Sequence, residues 1–189
     1  MTPVGPPRGP APTIRPFRRS DAAAAALVFH EAVHRGAAEH YTARQLAAWA
    51  PAPPAEDAWA DRLSAMTTLV ALDPASEALV GFMSLEIGRR GVGHIDLAFV
   101  QPDRMGEGVA YRLYAAIELA ARAAGCMRLT TDASLAARPF FARQGFVVQR
   151  RQTPVRNGVA LTSFRMAKKL TGDDAGAGDD AGAGAVSVK

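Results

Sequence analysis

The sequence predicts a single mixed α/β (α+β) domain in which helices flank one sheet. Helix-like patterns fill the first third of the chain, three strand-like apolar runs follow, and strands then alternate with helices. Hydrophobic residues make up 49% of the 189 residues, enough for one domain with a buried core. The single cysteine, Cys126, excludes an internal disulfide and any metal site built from several cysteines.

The front of the chain is predicted to form one strand and three helices. They are a strand over residues 14–17, helices over residues 20–35 and 43–49, and a helix that starts at Pro53-Pro54. Ser20 and Asp21 are typical N-cap residues before an alanine-rich run, and Pro51 cannot continue the second helix. In the third helix, Trp59 and Leu63 are four residues apart and share one face.

After the third helix the apolar residues follow the pattern of strands. The predicted elements are strands over residues 69–72, 79–87 and 94–100, a helix over 108–124, a strand over 127–132, a helix over 136–144, and strands over 146–151 and 160–166. Gly125 and Gly145 lie where C-cap glycines end a helix. Asp73-Pro74 and Asn157-Gly158 are turn signals between strands, and the second is typical of a hairpin.

Both ends of the chain differ from this body in composition. Residues 1–12 are rich in proline and glycine, and residues 171–189 repeat Asp-Asp-Ala-Gly-Ala-Gly twice, so both are predicted to be disordered. The acidic tail holds four aspartates and one lysine, which leaves a net charge of +7 on residues 1–170. No apolar run is long enough for a membrane span, and the N-terminus has no apolar signal region. We therefore expect a domain over residues 13–170 in a cytoplasmic protein without a membrane partner.

The glycine loop, residues 101–110, is the most informative segment. It follows a predicted buried strand, and Gly106, Gly108 and Ala110 let a ligand approach the main chain where the next helix begins. The first N–H groups of a helix are unpaired and lie at its positive dipole end, which suits a pyrophosphate. The loop lacks the Gly-Lys-Ser/Thr ending of P-loop proteins and the Gly-x-Gly-x-x-Gly spacing of dinucleotide folds. A structural turn without a ligand remains the alternative.

The chain from Gly93 to Leu170 resembles the Gcn5-related N-acetyltransferase (GNAT) superfamily, and most closely its YafP-like branch. The segments that carry the resemblance are residues 93–96, 99–110, 131–141, 143–146 and 158–162, with weaker similarity at residues 40–42, 45 and 48–51. The resemblance implies an acyl-CoA N-acyltransferase fold, with a central, mostly antiparallel sheet splayed between strands four and five. Acetyl-CoA is expected in that opening as cosubstrate.

The resemblance also implies a set of cofactor-binding residues. They are Ala98, Phe99, Val100, Arg104, Met105, Gly106, Glu107, Gly108, Val109, Ala110, Ser134 and Phe141. The family's loop pattern, Gln/Arg-x-x-Gly-x-Gly/Ala, maps onto Met105, Gly108 and Ala110, so Met105 departs from it. Arg104, one place earlier, is expected to supply the positive charge instead.

Acetyl transfer to an amine needs a base, and the family commonly uses a carboxylate or histidine on or near the fourth strand. Asp96 is the predicted base and Glu86 on the neighbouring strand is the second candidate, whereas a hydrogen bond from Asp96 to a nearby turn or side chain is the structural alternative. His94 and Asp96 are two residues apart and share a face of the strand. His94 is predicted to contact the acceptor.

The resemblance identifies no residue that could act as the general acid. Many members have a tyrosine at the position of Phe141, which has no proton to give, and the family's nearby asparagine is replaced by Ser134. Ser134 either bonds the pantetheine arm or caps the next helix. The thiolate would then take its proton from water, and a noncatalytic acyl-CoA-binding module stays an alternative.

The acceptor is expected to be a primary amine on a small molecule or a peptide. Tyr41 and Trp49 are the candidate pocket residues, because each joins an apolar body to a polar tip, although aromatic residues at helical spacing more often belong to the core. The basic residues Arg150, Arg151 and Arg156 lack interleaved aromatic residues, so no nucleic-acid partner is expected. The sequence does not specify an oligomeric state, and a homodimer is compatible with it.

One motif predicts a different chemistry. His30, Glu31 and His34 form a His-Glu-x-x-His pattern on a helix, and His40 lies where a third zinc ligand of a metallopeptidase would fall. Two histidines four residues apart can chelate zinc, with Glu31 as the base. Only about one strand precedes this helix, which leaves no sheet for a substrate cleft. We therefore expect no metal, and keep a zinc peptidase as the alternative.

Overall fold

The structure is a computed structural model that describes residues 11–170. Residues 1–10 of the arm predicted over residues 1–12, and the acidic tail predicted over residues 171–189, lie outside this part of the chain. Within it, no helix is both long and apolar enough to cross a membrane.

The described chain forms five α-helices and nine strands. The helices are α1 (Ala22–Glu31), α2 (Ala43–Trp49), α3 (Glu56–Ser64), α4 (Val109–Ala123) and α5 (Arg138–Arg143). The strands are β1 (Thr13–Pro16), β2 (Thr67–Leu72), β3 (Leu79–Ile87), β4 (Val92–Val100), β5 (Arg128–Ser134), β6 (Val147–Gln152), β7 (Val155–Arg156), β8 (Val159–Ala160) and β9 (Ser163–Lys169). A π-helical turn over Ala32–Gly36 extends α1. The predicted elements are confirmed, with two exceptions in detail.

The first exception is the single closing strand predicted over residues 160–166, which is wrong. Asn157 and Gly158 both have positive φ and form a tight turn between β7 and β8, as their sequence predicts, but these strands have only two residues each. Leu161 then leaves the hairpin and is buried in the core, so β9 begins only at Ser163.

The second exception concerns the N-cap of α1. Asp21 does precede the helix, but its carboxylate makes no cap hydrogen bond. It accepts hydrogen bonds from Arg15 and from the main-chain N–H of Arg18. Asp21 therefore holds the chain between β1 and α1 in place and does not cap the helix.

Seven strands form the central sheet, in the order β1-β2-β3-β4-β5-β9-β6. All neighbours are antiparallel except β4 and β5, which are parallel. This confirms the predicted mixed, mostly antiparallel sheet. Because β4 and β5 run in the same direction, the chain must cross over between them, and α4 makes that crossover.

The two faces of the sheet carry separate hydrophobic clusters. The first packs α4 against the sheet, with Leu113 and Ile117 fully buried. The second packs α1, α2 and α3 against the opposite face, with Phe82 and Leu97 among its members. Leu135, directly after β5, contacts both clusters. It therefore lies where the two faces of the sheet meet.

A bulge in β4 changes the direction of the side chains halfway along the strand. Ser84 pairs with Leu97 and Leu85 pairs with Ile95, so Asp96 is the extra residue. The Ser84 hydroxyl accepts a hydrogen bond of 3.1 Å from the main-chain N–H of Leu97. Ile95 therefore faces the α4 side, whereas Leu97 faces the α1 side.

The sheet opens between β4 and β5. The two strands pair only from Val92 opposite Arg128 to Ile95 opposite Thr131. Beyond these pairs β4 continues to Val100 and β5 to Ser134 without contact in the ladder. We call this gap, bounded by residues 96–100 and 132–134, the β4–β5 opening.

Candidate functional site

The glycine loop leads from the wide end of the β4–β5 opening into α4. Gly106 and Gly108 have φ values of 85° and 82°, the left-handed region that side chains other than glycine adopt at a cost. A Cβ on Gly106 would meet no atom within 4 Å, so this side of the loop is open. Within residues 11–170, the N–H groups of Gly108, Val109 and Ala110 have no main-chain acceptor. The loop therefore offers a set of unpaired donors at a helix N-terminus.

The side chains of the loop are less available than the sequence indicates. Arg104 forms ion pairs with Asp73 and with Glu107, so its charge is already compensated. Asp73 is buried in the turn between β2 and β3, where hydrogen bonds, first from the Ser76 N–H, hold its pKa below the ordinary value. Arg104 thus anchors the loop to this turn, whereas Met105 is 59% exposed beside the loop mouth.

The other predicted cofactor residues differ in how close they lie to the opening and in how exposed they are. Ala98, Phe99 and Val100 form its β4 edge and are partly buried. The Ser134 hydroxyl accepts a hydrogen bond of 3.0 Å from the Ala137 N–H, the capping role that the sequence allowed. Phe141 is 1% exposed and packs on Phe146 inside the α4 cluster.

Tyr41 lies at the opening but its hydroxyl is occupied. The hydroxyl donates to the carbonyl of Thr162 at 2.6 Å and accepts from the N–H of Leu135 at 2.9 Å. Burial raises the pKa of this phenol, and only 7% of the residue is exposed. Tyr41 therefore joins the α1–α2 segment to the far side of the opening, and its polar tip is not free for an acceptor.

Trp49 and Phe99 are the partly exposed members of an aromatic cluster. Their ring centroids are 6.4 Å apart, and Phe29 meets Phe99 edge-on at 4.9 Å. Tyr41 packs edge-on against Trp49 at 5.5 Å. The cluster forms an apolar wall on the α1 side of the opening, at the end where β4 leaves β5.

Asp96 points into an ion pair. Its Oδ2 lies 2.8 Å from Nη2 of Arg62, and the Arg62 guanidinium stacks over the ring of Trp59. The sequence left open a hydrogen bond to a nearby side chain, and the structure has this contact. Glu86 is exposed on β3, directly opposite His94 in the ladder.

His94 is held at the narrow end of the opening. Its Nδ1 lies 2.9 Å from Oγ1 of Thr130, and its Nε2 lies 4.0 Å from the carboxylate of Asp132. Asp132 in turn pairs with Arg165 and accepts a hydrogen bond from Gln152. Thus His94 and Asp96 share one face of β4, as their spacing predicted, and Glu86 of β3 lies on the same face. Each of the three has different neighbours.

The two histidines of the His-Glu-x-x-His motif contact each other and the main chain. The rings of His30 and His34 stack with centroids 4.3 Å apart, and Nε2 of His34 lies 2.7 Å from the carbonyl oxygen of Ala50. Burial, and then His34, lower the pKa of His30. Residues 11–170 contain no group of three or more potential ligands arranged to hold a metal. The zinc peptidase alternative is therefore not supported by this geometry.

Several residues of the site carry no recognisable local signal. They come from three different elements and a turn, and no sequence motif marks them: Arg62, Asp73, Thr130, Asp132 and Arg165. Only alternation along β5, which places Thr130 and Asp132 on one face, indicates that these two act together.

A mixed sheet that opens between two parallel strands, with unpaired helix N–H groups at the mouth, defines the class of acyl-CoA N-acyltransferases. Comparison with known proteins agrees. The family described as acetyltransferase (GNAT) domain matches residues 37–169. The chain is 33% identical over 156 residues to the uncharacterized N-acetyltransferase YafP of Escherichia coli (strain K12), covering 82% of this chain and 95% of that protein.

Solved structures extend the similarity to the fold. The GCN5-related N-acetyltransferase (aminotransferase, class-II) of Rhodopseudomonas palustris is 38% identical, with a TM-score of 0.78 over 85% of this chain and 97% of that chain. A GNAT superfamily phosphinothricin acetyltransferase from Sinorhizobium meliloti, solved with acetyl-CoA, is 21% identical, with a TM-score of 0.68 over 85% and 89% of the two chains. This chain belongs to the GNAT family of acetyltransferases, and it is an acyltransferase enzyme.

Proposed function

We propose that this enzyme moves the acetyl group of acetyl-CoA directly to a primary amine of a small molecule or a peptide. The observation that carries the proposal is the β4–β5 opening, with the unpaired N–H groups of Gly108, Val109 and Ala110 at its mouth. Uncompensated donors at a helix N-terminus fit a pyrophosphate, and the open side of Gly106 leaves room for it. The relative from Sinorhizobium meliloti was solved with acetyl-CoA and has the same fold.

The binding of the phosphates is proposed to rest on the main chain. Arg104 is compensated by Asp73 and Glu107, so its task is to hold the glycine loop in shape. Met105 is exposed and would not need to contact the phosphates, so we expect its departure from the family pattern to cost little affinity. The pantetheine arm would lie along residues 98–100 and near Ser134.

The reaction requires that the amine lose a proton and that the thiolate gain one. Acetyl-CoA supplies an activated carbonyl, whose C–S bond breaks as the C–N bond to the amine forms. Asp96, Glu86 and His94 are the residues proposed to accept the proton, since they share the face of the sheet that leads to the opening. One oxygen of Asp96 is held by Arg62, which counts against the predicted first choice.

The acceptor is proposed to pass along the apolar wall of Trp49 and Phe99. His94 and Glu86 would contact its polar part at the narrow end of the opening. Aromatic walls accept planar or aliphatic bodies and attract cations over their faces. A cytoplasmic location is part of the proposal, because the only cysteine of the chain is a buried free thiol. A homodimer would not alter this arrangement.

Two measurements test the proposal. Calorimetric titration of the metal-stripped protein with acetyl-CoA should give binding, and the absence of binding would remove the cosubstrate site. Release of the CoA thiol should then be followed with spermidine, 2-phenylethylamine, kanamycin and a peptide with a free α-amino end. Binding without turnover on any amine would favour the noncatalytic acyl-CoA-binding module.

A further inference from the structure

We propose that Thr130 and Asp132 make His94 the base of the acetyl transfer. Thr130 holds the imidazole in the tautomer whose Nε2 is free, and Asp132 faces that nitrogen. The inference rests on the proposed function, because the proton comes from the acceptor amine. Thr130 and Asp132 are positioning residues, and only His94 would touch the amine or its bridging water.

A chain of two hydrogen bonds fixes the tautomer. The hydroxyl of Thr130 donates its only proton to the carbonyl oxygen of Gly93, at 3.2 Å. The same oxygen lies 2.9 Å from Nδ1 of His94, and in the arrangement that we propose Nδ1–H donates to it. A neutral imidazole has a single N–H. Nε2 of His94 therefore carries a lone pair, the form that a base needs.

Asp132 is positioned to stabilise the protonated ring without blocking it. Its Oδ2 lies 4.0 Å from Nε2, too far for a direct hydrogen bond but close enough to attract an imidazolium. Nη2 of Arg165 donates to Oδ2 at 2.8 Å, and Gln152 donates to Oδ1. Nε of Arg165 is 2.6 Å from Oδ1, although its N–H is not directed at that oxygen. The carboxylate is thus held in one orientation.

The groups facing His94 come from both neighbouring strands. Glu86 of β3 lies opposite it in the ladder, and Thr130 of β5 lies opposite on the other side. Asp96 follows two residues later on β4, and Arg62 of α3 compensates its charge. Arg165 of β9 reaches the site only through Asp132. Within residues 11–170, Glu86 is the carboxylate beside His94 that forms no ion pair.

His94 is also near the point where the reaction must occur. It forms the last but one pair between β4 and β5, so its ring lies at the narrow end of the opening. The amine proton passes to Nε2, directly or through one water, as the C–N bond forms. The C–S electron pair leaves with the sulfur, which takes a proton from water, and the imidazolium returns its proton to water.

The tautomer can be measured without any acceptor. In a protein labelled with ¹⁵N-histidine, long-range proton–nitrogen spectra at alkaline pH distinguish Nδ1–H from Nε2–H, and His94→Gln assigns the signal among the four histidines. We expect Nδ1–H in the wild type and in Thr130→Ser. Thr130→Val, which keeps the shape but removes the hydroxyl, should shift His94 towards Nε2–H. An Nε2–H tautomer in the wild type would overturn the proposal.

Kinetics with the best amine of the panel test the role of the ring. His94→Gln should lower kcat about 100-fold or more with acetyl-CoA binding unchanged, whereas Asp57→Asn, at an exposed site on α3, should retain the rate. Thr130→Val should lower kcat about 10-fold at constant KM for acetyl-CoA, and Thr130→Ser should restore it. The acidic limb of the pH–rate profile should disappear only in His94→Gln. Loss of the rate in Asp96→Asn together with its retention in His94→Gln would assign the base to Asp96 instead.

The two ideas fail in different ways. If the wild type does not bind acetyl-CoA or acetylates none of the amines, the proposed function fails. The tautomer of His94 would still show whether Thr130 holds the ring with Nδ1–H. If the wild type turns over but His94→Gln is equally fast, only the inference fails.

Discussion

Tyr41 donates a hydrogen bond to the carbonyl oxygen of Thr162, which lies 121 residues further along the chain and beyond the β4–β5 opening. The same hydroxyl accepts from the N–H of Leu135. A sheet that is split along half of two strands needs other links between its halves. Tyr41 is such a link on the α1 side.

Replacement of Tyr41 by Phe should destabilise the fold by about 1 kcal/mol, since it leaves the partly buried N–H of Leu135 and carbonyl of Thr162 without their partner. Urea denaturation of the two proteins measures the difference. Tyr111→Phe is the matched control, because Tyr111 is 59% exposed on α4. Equal losses in both variants would show that the link across the opening contributes nothing.

A second link lies on the α4 side of the sheet. Helix α4 packs on β2, β3 and β4, whereas Lys168 belongs to β9 on the other side of the opening. Nζ of Lys168 lies 2.6 Å from Glu118 and 2.9 Å from the hydroxyl of Tyr114. Burial alone would raise the pKa of Glu118, but hydrogen bonds from Lys168, Tyr114 and Arg122 outweigh it and lower that pKa to about 2.

This depressed pKa predicts how stability depends on pH. A carboxyl group with a lower pKa in the folded state stabilises the fold fully above its unfolded value, near 4.5, and loses that contribution as the pH falls towards 2. Glu118→Gln should therefore cost about 1–2 kcal/mol at neutral pH, after allowance for solvent screening. The difference from wild type should shrink below pH 4.5, as measured by denaturation across that range.

Glu39→Gln is the control for this experiment, because it changes the net charge equally at an exposed site. A Glu118 variant whose deficit stays constant with pH would contradict the assignment. An equal, pH-dependent loss of stability in Glu118→Gln and Glu39→Gln would indicate an effect of net charge rather than of the Glu118 contacts.

Removal of metal should leave the enzyme unchanged. Nε2 of His34 is already bonded to the carbonyl of Ala50, and the ring of His30 stacks on that of His34. We expect protein dialysed against a chelator to keep its melting temperature and its affinity for acetyl-CoA. A loss that zinc restores, and that His34→Gln abolishes, would make the helix motif a genuine metal site.

The sequence predicted those features whose cause is local. Helix α2 was predicted to the residue, and the structure shows a local cause in the capping box of Thr42 and Gln45 at its start. Strand β3 was predicted because a turn precedes an unbroken apolar run. The positive φ at Gly108 and Gly125 likewise follows from the residue type.

Features that depend on distant partners were not predictable. The Tyr41 link joins residues 121 positions apart, and the Arg62–Asp96 pair joins residues 34 positions apart. The bulge at Asp96 depends on how β3 and β4 align rather than on either strand alone. Asp96 was predicted as the base because the family commonly has a carboxylate or histidine on or near the fourth strand, and nothing in the sequence indicated its ion pair with Arg62.

The glycine loop gives the sharpest test of the cosubstrate site. Gly108→Glu places a carboxylate where the proposed pyrophosphate meets the start of α4, so acetyl-CoA binding should weaken by at least about 100-fold, roughly 3 kcal/mol. The positive φ adds a strain of about 1 kcal/mol, which alone would lower stability slightly without unfolding the domain. Calorimetric titration measures the affinity, and circular dichroism checks the fold.

Gly125→Glu separates charge at the loop from strain in the backbone. Gly125 has a φ of 76°, ends the same helix at its other terminus, and has open space around a built Cβ. The substitution therefore brings a similar strain and the same charge to a place far along α4 from the glycine loop, and acetyl-CoA affinity should stay at the wild-type value. Equal affinities in the two variants would mean that the donors at the start of α4 do not hold the cosubstrate. A selective loss in Gly108→Glu would tie the anion site to those N–H groups.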